Sequence, residues 1–286
     1  MINYYLPGFY SLYKLNSIFL DYFENNKEYF YENIQIKAFY DCFPSCIWNG
    51  GRAMSGTPSK EEIIECLDYY NKKGYACRFT FTNCLLEEKH LYDTYSNLIC
   101  KLGENGLNEI LVNSKILEDY IRLHYPKYPL ISSTTKCIVS DDDFIDECNK
   151  DYSLIVLDYR NNRNWELLKK ISKPEKIEIL LNAYCVENCK KREQHYKYLS
   201  QCQLDYQTKI QPFCNDLMTN FYDNLKKDTM IKLEELKKYI EMDYINFKIE
   251  GRTMHWVNVL ESYLYYMVKE EYKDELRLKI LLNFFN

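Results

Sequence analysis

Short strand-like runs separated by helix-like stretches recur along almost the whole chain, and that alternation is what parallel strands joined by crossover helices require. Strands are predicted over 34–40, 75–82, 109–112, 129–132, 153–158, 177–182 and 245–250. Helical stretches are predicted between them over 59–73, 90–102, 114–124, 141–149 and 164–171. The first of these opens with Thr57-Pro58-Ser59 and carries Glu61 and Glu62 in its first turn, where carboxylates meet the positive end of the helix dipole. The fold class is therefore α/β, a TIM-barrel-like parallel (β/α) barrel. With seven strands in view, it has one irregular strand or is incomplete. Such a barrel commonly fills about 250 residues.

The rest of the chain is arranged around that barrel as a single domain, 1–286. An N-terminal helical region, 1–33, contains an aromatic helical stretch over 9–31; the barrel proper runs 34–253, and C-terminal helices occupy 254–286. Between the sixth and seventh strands lies a cysteine-bearing insertion, 183–244, far longer than a usual βαβ connection. No Gly/Ser-rich linker and no repeat of solenoid period interrupts the chain.

Twelve cysteines would mean disulfides in a small secreted chain, but 286 residues, 47% of them apolar, supply a core without staples. The start, Met1-Ile2-Asn3-Tyr4-Tyr5-Leu6-Pro7-Gly8, lacks the charged-then-apolar layout of a signal peptide. The expectation is a cytoplasmic protein with reduced thiols. No membrane partner is expected, since no run reaches the ~18 apolar residues that span a bilayer. A net charge of −5 gives no global basic surface for nucleic acid. The local run Lys190-Lys191-Arg192 could form a patch, although such runs are more often a solvated helix face.

In a parallel barrel the active groups gather where strands end at their carboxyl side. Polar residues at those ends are Cys42, Cys46, Asn49 and Arg52; Asn83; Asn113 and Ser114; Ser133, Thr134 and Lys136; Asp158, Arg160 and Asn162; Asn182; and Lys248, Glu250 and Arg252. Taken singly, each is more often a cap or a turn residue than a catalytic group. The candidate catalytic set is Arg52, Asn83, Asp158, Lys248, Glu250 and Arg252. In Cys46-Ile47-Trp48-Asn49-Gly50-Gly51-Arg52, paired glycines beside a guanidinium let backbone amides and Arg52 approach a carboxylate or phosphate; a tight turn over a buried tryptophan is the equal alternative. In Phe247-Lys248-Ile249-Glu250-Gly251-Arg252-Thr253, strand alternation places Lys248, Glu250 and Arg252 on one face, as an active charge network or as an ion-paired interior that only holds the fold.

After the sixth strand come Cys185, Cys189, Cys202 and Cys214. Four thiolates satisfy zinc or an iron–sulfur cluster, and the uneven spacing leans towards a 4Fe-4S cluster, with zinc as the alternative. Some of the four could instead be ordinary small hydrophobes, as Cys66, Cys77, Cys100, Cys137 and Cys148 look to be. His195, beside the thiols, is a ligand or proton carrier, or a helix or core histidine.

The segment Asn182–Tyr196, read as Asn-x-x-Cys-x-x-Asn-Cys-x-x-Arg-x-x-His-Tyr, and the segment Phe247–Thr253, Phe-Lys-x-x-Gly-Arg-Thr, resemble the collagenase-like peptidase family U-32. Leu157-Asp158 followed by Asn162-Arg163 adds support. The resemblance implies a TIM-barrel-like fold with a four-cysteine iron–sulfur cluster. Despite the peptidase label, it implies oxygen-independent hydroxylation, in ubiquinone synthesis or of RNA, with prephenate as oxygen source for the RNA-modifying members. A dicarboxylate of that kind suits a mouth lined by Arg52, Arg160 and Arg252. Lys190 departs from the proline that the family pattern places there, and Cys42 or Cys46 could stand in for Cys202. Neither a His-Glu-x-x-His helix nor a Gly-x-Ser-x-Gly elbow is present to carry hydrolysis.

The leading expectation is an iron–sulfur enzyme that hydroxylates an RNA or a small anionic molecule. The alternatives are a peptidase, and a non-catalytic, metal-stabilised module binding a protein subunit or RNA.

Overall fold

The computed structural model describes residues 1–214 and 220–285. Eight parallel strands close into a barrel in chain order. They are β1 (Ile2–Pro7), β2 (Ile34–Asp41), β3 (Ala76–Phe81), β4 (Glu109–Val112), β5 (Leu130–Ser132), β6 (Leu154–Val156), β7 (Ile177–Leu180) and β8 (Asn246–Lys248).

The strand missing from the sequence count lies at the very start of the chain. The region 1–33, expected to be helical, supplies β1 before its helix α1 (Tyr13–Asn25), so the barrel begins at Ile2 rather than at residue 34. Pairing of β1 with β2 on one side and β8 on the other closes the ring. Its side chains alternate as a barrel strand demands: Tyr4 and Leu6 pack under the outer helices, while Tyr5 joins Ala38 and Ala76 in the interior. Tyrosines at successive positions and the polar Asn3 hide that alternation. Asn3 is nonetheless satisfied inside, donating to Asn246 Oδ1 at 2.7 Å.

The crossover helices are α2 (Lys60–Lys72), α3 (Thr94–Gly103), α4 (Lys115–His124), α5 (Asp141–Cys148) and α6 (Trp165–Lys170). Each falls within a residue or a few of its predicted span. Helix α2 starts where expected because Ser59 and Glu62 form a reciprocal capping box: Ser59 Oγ accepts from Glu62 N at 3.1 Å, and Ser59 N donates to Glu62 Oε2 at 2.6 Å. Between β7 and β8 lie α7 (Arg192–Leu204), α8 (Phe221–Asn224) and α9 (Leu233–Ile240). The insertion expected over 183–244 contains all three, and its residues 215–219 lie outside the described ones. Helices α10 (Trp256–Met267) and α11 (Lys273–Phe285) follow the barrel. Among the described residues no helix is long and apolar enough to cross a membrane.

Outward strand residues such as Phe39, Phe79, Ile110, Ile155, Ile179 and Phe247 form the main core against the helices. The interior is smaller and mixed. Tyr40, Leu111, Ile131 and Val156 make one apolar patch. The small side chains of Ala38 and Ala76 leave volume that Arg78 and Tyr5 fill, with the guanidinium 4.0 Å from the ring centroid. Arg78 donates to Glu109 Oε2 at 2.7 Å and also to Glu178, whose other oxygen lies 3.3 Å from Lys248 Nζ. The charge network anticipated around Lys248, Glu250 and Arg252 therefore takes a different form. Strand β8 ends at Lys248, whose carboxylate partner is Glu178 of β7, shared with Arg78 of β3, and Glu250 and Arg252 belong to the loop above.

Candidate active site

The loop after β2 reaches over the barrel because of its glycines. A Cβ on Gly50 would stand 2.2 Å from the Thr82 carbonyl carbon, so only glycine passes this close to the end of β3. Gly51 follows at φ +72°, a left-handed conformation that glycine adopts without strain. Arg252 fastens the loop from the opposite side, donating to Asn49 Oδ1 at 2.8 Å, to Gly50 O at 2.7 Å and to Thr80 Oγ1. Arg52, carried by the loop, is ion-paired with Glu250 and donates to Gly51 O at 2.6 Å. Glu250 is itself fixed through its backbone: Asn182 Nδ2 donates to Glu250 O at 2.9 Å, and Glu250 N donates to Asn182 Oδ1 at 2.5 Å.

Helix α7 closes the mouth from above. Gln203 spans the gap to the glycine loop, accepting from Met54 N at 2.7 Å and donating to Met54 O at 3.2 Å. Its first turn places Arg192, which is buried, over the rings of Tyr159 and Tyr196 at 4.5 and 5.0 Å. The acidic neighbour of Arg192 is Asp158 at 3.3 Å, but Asp158 already accepts two bonds from Arg160, at 2.8 and 2.9 Å. Arg192 Nε makes no hydrogen bond, and one terminal nitrogen reaches Thr134 Oγ1 at a long 3.4 Å. A guanidinium presents five donors. Here most of them are unspent in a buried site.

Two connected chambers result. The inner one, about 70 Å³, is lined by Lys248, Arg252, Arg192, Arg52, Tyr40 and the hydroxyls of Thr80, Ser133 and Thr135 among others, with Glu250 as its carboxylate. The outer one, about 480 Å³, shares Arg52, Arg192, Tyr196 and Glu250 and adds Tyr184, His195, Phe213, Cys185 and Cys214. Four cationic groups thus face the inner space against one carboxylate. Burial pushes Lys248 down to about 8, with Glu178 opposing the shift and Arg78 and Arg252 adding to it. Burial, with Arg52 and Arg192 nearby, pushes the His195 imidazole down to about 4, and the ring lies flat against Phe213 at 5.0 Å between centroids.

Of the expected site residues, Arg52, Lys248, Glu250 and Arg252 meet at this mouth. Asp158 stands behind it, holding Arg160 and Arg192. Asn83 does not line either chamber: its amide donates to Ile47 O at 2.9 Å and Ser200 O at 3.2 Å, tying α7 to the barrel. Arg160, expected as a third arginine of the mouth, is spent on Asp158, and Arg192 takes that place. The run 190–192 is not a solvated face at Arg192, which is buried. Arg192, Tyr196 and Tyr40 went unnoticed in the sequence as site residues; the signal for the first two was their spacing of one helical turn.

The expected four-thiolate set is only partly gathered. Cys185 and Cys189 pack together with Tyr159, Leu180 and Ala183, and burial pushes the Cys185 thiol up. Cys214 lines the outer chamber with Cys185. Cys202, by contrast, is buried within α7. Cys46, offered as a substitute, donates to Ser96 Oγ at 3.3 Å and neighbours Cys42. Among the described residues no three His, Cys, Asp or Glu side chains converge as a metal-holding group. Among the described residues the cysteines, as arranged, do not fit a cluster.

No family model matches the chain. It is 26% identical over 242 residues to the uncharacterized protease MJ1657 of Methanocaldococcus jannaschii, an alignment that covers 79% of this chain and 70% of that protein. The solved structure of the U32 peptidase Mk0906 is similar with a TM-score of 0.56 at 14% identity, over 87% of this chain and 92% of that one. The barrel has the fold of that U32 peptidase structure. In this barrel the two sequence segments that carried the resemblance, 182–196 and 247–253, come together at one place. The first supplies Arg192 and Tyr196 from above, and the second supplies Lys248, Glu250 and Arg252 from below.

Proposed function

We propose that this U32 peptidase-like protein is an enzyme whose inner chamber binds a small carboxylate-bearing anion, and whose outer chamber takes a second substrate that is modified with its help. The observation that carries the reading is Arg192, a buried residue whose terminal nitrogens make only one long bond, to Thr134, and which lines a cavity together with Lys248, Arg252 and Arg52. Charge-assisted hydrogen bonds to a carboxylate satisfy such donors where water cannot. Arg192 and Lys248 are the primary receptors; Arg252, whose donors are committed to the glycine loop, shapes the wall; Glu250 holds Arg52 in position.

Hydroxylation of an RNA or small molecule is the form of modification this reading favours, in a reducing compartment suited to a chain with twelve cysteines. An iron–sulfur cluster would serve it only if two further thiolates joined Cys185 and Cys189. Iron and acid-labile sulfide content, measured on protein purified without air, decides that point: about four of each per chain supports a cluster, and none removes it. A peptidase reading follows the names of the similar proteins. It meets the obstacle that His195 is stacked on Phe213, and no Ser, Thr or Cys side chain is hydrogen-bonded to it among the described residues.

The test is thermal unfolding in the presence of a small dicarboxylate, its neutral diamide, and an unmodified peptide. A ligand held at a hundred times its Kd stabilises by about 2.7 kcal/mol, so the dicarboxylate is expected to raise Tm by several degrees while the diamide does not. Stabilisation by the peptide alone would sink the proposal.

A further inference from the structure

The interior carries a lysine that the anion site alone does not explain. Lys248 is the last residue of β8, is 6% exposed, and lines the floor of the inner chamber beneath the arginines. A structural lysine in a barrel interior is normally matched by its own carboxylate. Here Glu178 is shared, because one of its oxygens accepts from Arg78 and only the other, at 3.3 Å, is left for Lys248. The flat face of Tyr40, 3.9 Å from Nζ, fixes the side chain in place. Burial, with Arg78 and Arg252 adding to it and Glu178 opposing, brings the amine down to about 8, within reach of deprotonation close to neutral pH. A desolvated lysine beside other cations is the form in which an amine becomes a nucleophile near neutral pH.

We infer that Lys248 forms an imine with the carbonyl group of a 2-oxo acid bound in the inner chamber. This rests on the anion-binding reading of that chamber and adds the class of acid it takes. A 2-oxo acid places its carbonyl carbon next to its carboxylate, so a carboxylate held by Arg192 brings that carbon towards the chamber floor where Nζ lies. The Nζ lone pair adds to the carbonyl carbon to give a carbinolamine. The carbonyl oxygen then leaves as one water, taking both protons of the amine, and a carbon–nitrogen double bond joins Lys248 to the acid. No electrons are gained or lost, and no oxidant is required.

The full chain is incubated with pyruvate or glyoxylate and sodium borohydride, which adds hydride to an imine and makes the link permanent. Intact mass and peptide mapping then locate the product, and calorimetry with lactate, which has the carboxylate but no carbonyl, reports on the cradle separately. One reduced adduct per chain, mapped to Lys248 and lost in Lys248→Arg, is expected, together with lactate binding. Lys248→Arg keeps a cation opposite Glu178, and its unfolding curve shows whether the fold is intact. Should the variant not fold, the wild-type map still decides, because Lys248 must outcompete the surface lysines by at least tenfold in adduct yield. Lactate binding without an adduct at Lys248 overturns the imine and leaves the anion site standing. Failure of lactate to bind, with adducts spread over surface lysines, overturns both.

Discussion

Changing Arg78 to methionine is expected to remove about 3–5 kcal/mol of folding stability, the cost of breaking a buried ion pair by deleting one partner. Arg78 is fully buried, donates to Glu109 at 2.7 Å and to Glu178, and stacks on Tyr5. Without it Glu178, itself fully buried, keeps only Lys248 at 3.3 Å. Burial alone would raise the Glu178 carboxyl, but Arg78 and then Lys248 hold it below its ordinary value. A carboxylate depressed in the folded state contributes stability above its ordinary range and loses it as pH falls through the folded value. The deficit of Arg78→Met is therefore expected to be largest near neutral pH and to shrink in acid. Urea unfolding at both conditions checks this. Adding Glu178→Leu, which removes the stranded charge, is expected to recover much of the loss. A single variant within about 1 kcal/mol of wild type, the range of a surface pair, would show that the interior network does not hold the barrel.

The second large effect concerns ligand. Arg192→Ala is expected to weaken binding of a small dicarboxylate by about 10- to 100-fold, since hydrogen bonds to a charged group contribute about 1.5–3 kcal/mol. The three arginines of the chamber differ in how far their donors are already engaged. Arg252 has its donors on Asn49, Thr80 and Gly50, and Arg52 is engaged with Glu250 and Gly51. Arg192 shares Asp158 with Arg160, its Nε 3.3 Å from a carboxylate oxygen, and its terminal nitrogens make only the long bond to Thr134. Arg192→Lys is expected to recover only part of the affinity, because an ammonium is a point charge that cannot reproduce the planar fork or its stacking on Tyr159 and Tyr196.

Much of the architecture was legible because its signals are local and periodic. Apolar runs bounded by caps such as Ser59 gave seven strands and the crossover helices, and the barrel follows from their alternation. β1 escaped because Asn3-Tyr4-Tyr5 reads as polar and aromatic, and its barrel character appears only when Asn246, far along the chain, accepts from both Asn3 and Tyr5. The site was half legible for the same reason. Lys248, Glu250 and Arg252 sit at a strand end, where a parallel barrel keeps its chemistry. Arg192 lies in a basic run whose neighbours Lys190 and Lys191 are exposed, and nothing local distinguishes the one that turns inward. Asn83 and Arg160 were the opposite case: polar residues at strand ends whose hydrogen bonds are taken up by Ile47, Ser200 and Asp158. The spacing of the thiols says which residues could hold a metal, but whether they gather depends on how α7 docks on the mouth.

An anion site built on Arg192 in the inner chamber is read out by calorimetric titration of a small dicarboxylate into the wild-type protein and Arg192→Ala side by side. Saturable binding of one ligand per chain is expected in the wild type, weakened by about 10- to 100-fold in the variant. Equal affinity in the two proteins, or no binding to either, would contradict it.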